Sequence, residues 1–410
     1  MSRVFFQESD PLVLYKQSGE SLFTLEVYFM NFDYLRAFQD RLTSWRIPGN
    51  DCMVKIGYET VYRHQSGFAN MEEGIRMQGD ELYYLWSCSK PITCTLALML
   101  YEQGLYLLND PLYEYMPEFR DVVVTHKAED GTAYTEKAKN PIRVRDLFTM
   151  SAGFSYNMNT PEIQAVKEAT NGHCPTREIA RAIARTPLQF EPGTRWSYSL
   201  CHDVLSAFIG TVAGMRTRDY ARKVLFDPLG MDDTCYNLPS PEKMARMAVQ
   251  YNFRDDLDKA LPTNNTCGHM LGDEYDSGGA GVVSSIEDYM KFACAMANGG
   301  VGENGYRVLS SSTIDMMRTN CLNEAQLKDF NWSQLCGYGH GLGVRTMIDP
   351  IGAGTGGSVG EFGWGGAAGA YLILDPSKKL AVVYAHHMLN NQEPWFSPRL
   401  RNVVYACADR

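Results

Sequence analysis

The chain has 410 residues, 45% of them hydrophobic and 21% charged, enough to enclose a full core and more than one small domain usually holds. Its formal charge of -10 excludes the basic footprint of a nucleic-acid binder, and no run of about eighteen apolar residues is present to span a bilayer. Eleven cysteines at irregular spacing give neither a disulfide framework nor a paired metal knuckle; most sit in apolar runs, as Cys94 and Cys294 do, and point to a reducing, cytoplasmic setting.

Residues 1–30 begin MSRVFFQESDPLVLYKQSGE, without the apolar core and small-residue cleavage site of a secretory signal, and read as an exposed extension or an added edge strand. Asn31 to Trp45 has the spacing of an amphipathic helix, and Cys52 to Tyr58 with Thr60 to His64 reads as a hairpin. Next comes Ser87-Cys88-Ser89-Lys90, at the head of an apolar run through Leu96, Leu98, Met99 and Leu100 that predicts a largely buried helix, with Pro91 tolerable in its first turn. A serine at a helix N-terminus faces unpaired amides that favour a developing oxyanion, and a side chain three positions on lies on the same face. Serine is a weak nucleophile until a neighbour accepts its proton, and a desolvated lysine is one such acceptor.

The spacing alone proves little, because composition gives about one or two chance S-x-x-K matches in a chain of this size. Ser240-Pro241-Glu242-Lys243 is one: cap, first-turn proline and dipole-compensating acid mark a helix start. Further helix signals run through Thr160 to Ala184 and His202 to Gly214, and the polar stretch Asp256 to Cys267 reads as a loop. Gly356-Gly357-Ser358-Val359-Gly360 matches G-x-S-x-G but lacks the strand before and the helix after it that a nucleophile elbow needs. Gly352, Gly354 and Gly357 satisfy G-x-G-x-x-G without the strand-turn-helix unit of a dinucleotide site. Ala370 to Leu374 and Leu380 to Ala385 read as strands about Asp375-Pro376-Ser377-Lys378, and His386-His387 as the end of the second. Among eight histidines no His-Glu-x-x-His or comparable pair suggests a metal, and no cofactor is indicated.

Six blocks in order carry a resemblance: SCSKPITCTLALMLYEQGLYLLNDPLYEYMPEF at 87–119, IRVRDLFTMSAGFSY at 142–156, FEPGTRWSYSL at 190–200, VLFDPLGMDDTCY at 224–236, SGGAGVVSSIEDYMKFACAMANGG at 277–300 and GEFGWGGAAGAYLILDP at 360–376. Over most of residues 32–390 the chain resembles the serine beta-lactamase and penicillin-binding superfamily, particularly the class C-like branch that contains the class VIII carboxylesterases. The resemblance makes Ser87 the nucleophile and Lys90 its partner. The family's Tyr-x-Asn box stands here as Tyr198-Ser199-Leu200: the phenol can accept or relay a proton beside a cation, but Leu200 cannot hold a substrate amide. Cys201-His202-Asp203 departs from the expected pattern, and His202, one turn beyond Tyr198, reads as a packed or capping residue rather than a site residue.

The family's Lys-Thr-Gly box matches Trp364-Gly365-Gly366, as in the esterase branch. An indole replaces the cation, the two glycines let the backbone approach a ligand, and the N–H of Ala367, opening a strand to Leu374, would face that of Ser87 as an oxyanion hole. The fold implied is α/β (α+β): an antiparallel sheet flanked by helices, built from 31–118 and 275–410, with a mostly helical domain inserted at 119–274. The activity implied is a serine hydrolase that opens small or medium carboxylic esters through an acyl-Ser87 intermediate. It takes a small-molecule ester or amide and has no nucleic-acid or membrane partner. Alternatives are a D-amino-acid amidase, peptidase or weak beta-lactamase, an acyltransferase of the same fold, and a catalytically quiet binding protein.

Overall fold

The computed structural model describes residues 31–264 and 266–408; the segment read as an extension at 1–30 lies outside them. Eight antiparallel strands form the main sheet in the order Tyr338–His340, Arg345–Met347, Phe362–Gly363, Tyr371–Asp375, Leu380–Ala385, Gly49–Ile56, Glu59–Asn70 and Ile75–Arg76. Two adjacent inner strands, Leu380–Ala385 and Gly49–Ile56, come from opposite ends of the described chain, with Asp51 opposite Ala385 and Ile56 opposite Leu380. Such a position is buried on both faces, and for that reason Leu380–Ala385 is apolar throughout rather than alternating.

Alternation survives in what each side chain meets. Ile373, Val382 and Tyr384 pack with Leu35, Phe38 and Leu42 of the helix Asp33–Trp45 and with Phe396, Leu400 and Val404 of the helix Glu393–Ala408. Leu372, Leu374 and Val383 face the other way, into the core that holds Phe292 and Ala293 of Ile286–Ala297. Successive residues of a strand point to opposite faces, so one strand supplies both layers. Below the second face lies Ser89–Glu102, a helix buried nearly all round and packed against Cys201–Ala213. A helix apolar on every side has to be enclosed by others. None of the described helices is long and apolar enough to cross a membrane.

Three expectations change in detail. The helical stretch from Thr160 is two helices, Pro161–Ala169 and Thr176–Arg185, separated where Asn171 and Gly172 turn left-handed and Pro175 withholds an amide hydrogen. The stretch Asp256 to Cys267 is in part a hairpin: Tyr251–Arg254 pairs with Lys259–Pro262, burying Tyr251, Phe253 and Ala260 about a polar turn. The strand expected from Ala370 begins at Tyr371, and the one placed at Ala367 is a tight turn there, with the Gly369 N–H bonded to the Gly366 carbonyl at 2.8 Å.

Candidate active site

Ser87 lies where a strand gives way to a helix. Leu82–Tyr84 pairs with Val282–Ser285, and the chain then tightens through a 3₁₀ turn, Trp86–Cys88, into Ser89–Glu102. Ser87 is therefore two residues ahead of the α-helix rather than inside its first turn. Trp86 has φ +48°, a left-handed conformation that costs a non-glycine residue about 1–3 kcal/mol and persists only where its surroundings fix it. Its indole N–H is held by Gln250 Oε1 at 3.0 Å. The strained residue aims the next side chain, Ser87, into a cavity where it keeps 8% of its surface.

Lys90 is 1% exposed and donates from Nζ to Ser87 Oγ at 3.2 Å and to the Gly279 carbonyl at 2.8 Å. The Tyr198 hydroxyl, from the segment that enters Cys201–Ala213, is 2.6 Å from Ser87 Oγ, and Lys90 Nζ stands 4.6 Å from the centre of its ring. A serine oxygen within hydrogen-bond reach of both a tyrosine oxygen and a lysine nitrogen, either of which can take up its proton from the basic form, is the arrangement that nucleophilic catalysis requires.

The third side is the turn Trp364 to Ala367. A Cβ on Gly366 would lie 2.3 Å from the Leu85 carbonyl, so only glycine lets this turn settle against the residues just before the nucleophile. Ala367 consequently lines the same cavity as Ser87. Neither the Ser87 N–H nor the Ala367 N–H is bound to another backbone group among the described residues. Two free amides on facing segments are what an oxyanion hole needs. Trp364, 4% exposed, stacks parallel to Tyr198 with ring centres 6.0 Å apart and meets His340 edge-on at 5.3 Å.

Other expected residues fall elsewhere. Leu200 is buried and packs toward Phe154, Ile163 and Ile183, so it forms no wall of the cavity. It occupies the cap position of Cys201–Ala213, with its N–H on the Ser155 carbonyl, and its direction follows from that. His202 is wholly buried against the Phe148 carbonyl, 3.2 Å away, and its ring is held well below the usual imidazole range, chiefly by burial. Ser358 accepts from Ser377 in an outer loop. Ser240 begins the helix Pro241–Met244, where Lys243 turns to Asp232 and Asp233.

The cavity, about 260 Å³, is completed by residues the sequence reading did not single out: Trp86, Tyr156, His269, Trp332, Leu335, Arg345 and Glu393. The Tyr156 and Tyr198 ring centres are 5.1 Å apart, and burial first, then Tyr198, holds the Tyr156 hydroxyl far above its ordinary range, hence as a neutral donor. Tyr156 closes the quoted block IRVRDLFTMSAGFSY, which was its only signal. Arg345 is buried and paired with Glu361 at 3.0 Å, a carboxylate that also faces Arg401. Glu393 lies directly over Gly365, where a Cβ would be 2.6 Å from its Oε1, and burial pushes its carboxyl up.

The Beta-lactamase family model matches residues 35–406. The chain belongs to the Beta-lactamase family. Within it, Protein Rv1367c of Mycobacterium tuberculosis is 29% identical over 346 residues, covering 82% of this chain and 85% of that protein. Esterase EstB of Burkholderia gladioli is 27% identical over 398 residues, 90% of this chain and 93% of the esterase. Among solved structures, EstCE1, described as a hydrolase with promiscuous acyltransferase activity, superposes with a TM-score of 0.74 at 22% identity, covering 91% and 97% of the two chains. Membership of this family with esterase relatives makes the protein a serine hydrolase, and its antiparallel sheet flanked by helices is the beta-lactamase-like fold.

Proposed function

We propose that the protein opens small or medium carboxylic esters through an acyl-Ser87 intermediate. Ser87 Oγ adds to the ester carbonyl as its single proton passes to the basic member of the Lys90–Tyr198 pair, a neutral amine or a phenolate held by the lysine, and the negative charge on the carbonyl oxygen faces the N–H groups of Ser87 and Ala367. The alkoxide leaves with that proton, and water repeats the sequence to release the acid and restore Ser87. An alcohol in place of water would give a new ester by the same steps, a second reading supported by the activity named for EstCE1.

The observation that carries the ester reading is Trp364, buried against Tyr198 where related enzymes of the resemblance place a lysine. A substrate carboxylate meets an indole there in place of a cation and loses water without gaining a counter-charge, at a cost greater than the roughly 1–3 kcal/mol of an unpaired neutral group. Esters without such groups escape it, and the name of Esterase EstB agrees. The expected kcat/KM for a short p-nitrophenyl ester exceeds that for a cephalosporin at least about 100-fold, roughly 2.7 kcal/mol of transition-state preference. Trp364→Lys should narrow the ratio. Equal rates on both substrates in the unmodified enzyme would replace this reading with a lactamase or amidase one.

A further inference from the structure

We infer that Asp203 is the positioning residue and counter-charge of Lys90, acting across the Gly278-Gly279 segment to set the pH at which Ser87, Lys90 and Tyr198 become reactive. The inference rests on the acyl-serine reading above and extends it to a carboxylate that touches neither substrate nor nucleophile.

Asp203 is 2% exposed in the first turn of Cys201–Ala213. Its Oδ1 accepts from the hydroxyls of Tyr275 and Ser277, both at 2.7 Å. Both donors are neutral, and a buried carboxylate is costly unless a positive charge answers it. The answering charge is across a glycine: a Cβ on Gly279 would lie 2.8 Å from Asp203 Oδ2 and 3.4 Å from Lys90 Nζ. A side chain there would press on the Asp203 carboxylate and touch the lysine, so the two groups flank one small gap beside the Gly279 backbone. Gly278 is equally constrained, since its Cβ would fall 2.0 Å from the His202 carbonyl.

The segment so gripped does two things for the helix that carries Lys90. The Gly278 carbonyl accepts from Thr93 Oγ1 at 2.7 Å, and the Gly279 carbonyl accepts from Lys90 Nζ at 2.8 Å. Asp203 thus fixes, through Ser277, the backbone oxygen that orients the lysine, and adds a negative charge behind it.

The other titratable groups facing Lys90 are neutral at working pH. Burial pushes up the Cys88 and Cys94 thiols on its own turn and helix, and the Tyr275 hydroxyl beside Asp203. Burial lowers His202 from the neighbouring helix, His269 from the loop before Tyr275, and His340 from the strand Tyr338–His340, the last to about 3. Tyr198 presents its ring. Among the described groups that face this cluster, Asp203 is the carboxylate.

The sign of the effect does not depend on which partner takes the serine's proton. Removing a nearby negative charge makes a proton leave either group more readily, so the acid limb of the pH profile moves down. The probe is a fluorophosphonate, whose labelling rate is followed from about pH 5 to about pH 9 in the full chain. Asp203→Asn keeps the shape and an acceptor for both hydroxyls; its limb should fall by about one pH unit or more, while Asp203→Glu should return it toward the unmodified position. Asp203→Ser, neutral and smaller, is read in the same way should the asparagine variant not fold.

Slower labelling with an unmoved limb in the neutral variants would overturn the inference, leaving Asp203 a packing residue. Loss of folding in both neutral variants would do the same, making it a structural anchor of the loop. Failure of the unmodified protein to label at all would instead sink the acyl-serine reading beneath it.

Discussion

Ser87→Ala should abolish labelling by a fluorophosphonate and reduce ester hydrolysis by about a million-fold in kcat, the scale on which removal of a serine nucleophile acts. Among the described residues no other oxygen nucleophile lines the cavity with a lysine at 3.2 Å and a tyrosine hydroxyl at 2.6 Å. Intact mass should show one adduct in the unmodified enzyme, none in Ser87→Ala, and one again in Ser358→Ala and Ser240→Ala. Those two serines are spent on an outer-loop hydrogen bond and a helix start. An adduct that persists in Ser87→Ala would move the nucleophile elsewhere.

Lys90→Ala and Tyr198→Phe should each lower kcat/KM by about 100- to 10,000-fold, and the double variant should lose far less than the product of the two. Ser87 Oγ is bound to both groups at once, and Lys90 also lies against the face of the Tyr198 ring. Removing either partner therefore disables the other, and groups that act as a unit overlap in their effects. Rates for the four proteins on one p-nitrophenyl ester decide it: losses that add fully in free energy would mean two independent contributions.

What the sequence made legible was local or shared with relatives. Ser87 and Lys90 are three residues apart, so the single turn that runs from Trp86–Cys88 into Ser89–Glu102 brings them together. Tyr198, Trp364 and Ala367 were found through the order of the matching blocks, since nothing in their own neighbourhoods says that they meet. The helices and strands with long periodic stretches, such as Asp33–Trp45 and Leu380–Ala385, were visible for the same reason they are stable: their burial patterns repeat.

The rest depended on tertiary direction. Leu200 stands at the box position but its side chain is turned by the cap of the following helix toward Ile163 and Ile183. Trp332 enters the cavity from a segment with no periodicity and no motif, and Glu393 from the first residue of Glu393–Ala408, whose buried repeat at Phe396, Leu400 and Val404 says nothing of what its N-terminus meets. The hairpin Tyr251–Pro262 was masked by the polar turn at its tip, where Asp255, Asp256 and Asp258 outweigh the alternation of Tyr251 and Phe253. Asp203 was visible as a departure from pattern, but its place beside Lys90 across Gly279 is set by tertiary contacts alone.

The bare Cα of Gly366, seated on the Leu85 carbonyl, also carries a consequence for biogenesis. The nucleophile turn is made early on the ribosome, but the amide pair that would receive the oxyanion closes only after the strand from Tyr371 has been made and Leu380–Ala385 has slotted beside Gly49–Ile56. Long-range closure of this kind is slow and comes late. Reactivity toward a phosphonate should therefore appear in a single late step during refolding or synthesis. The enzyme carries its own clock for completion of its central sheet.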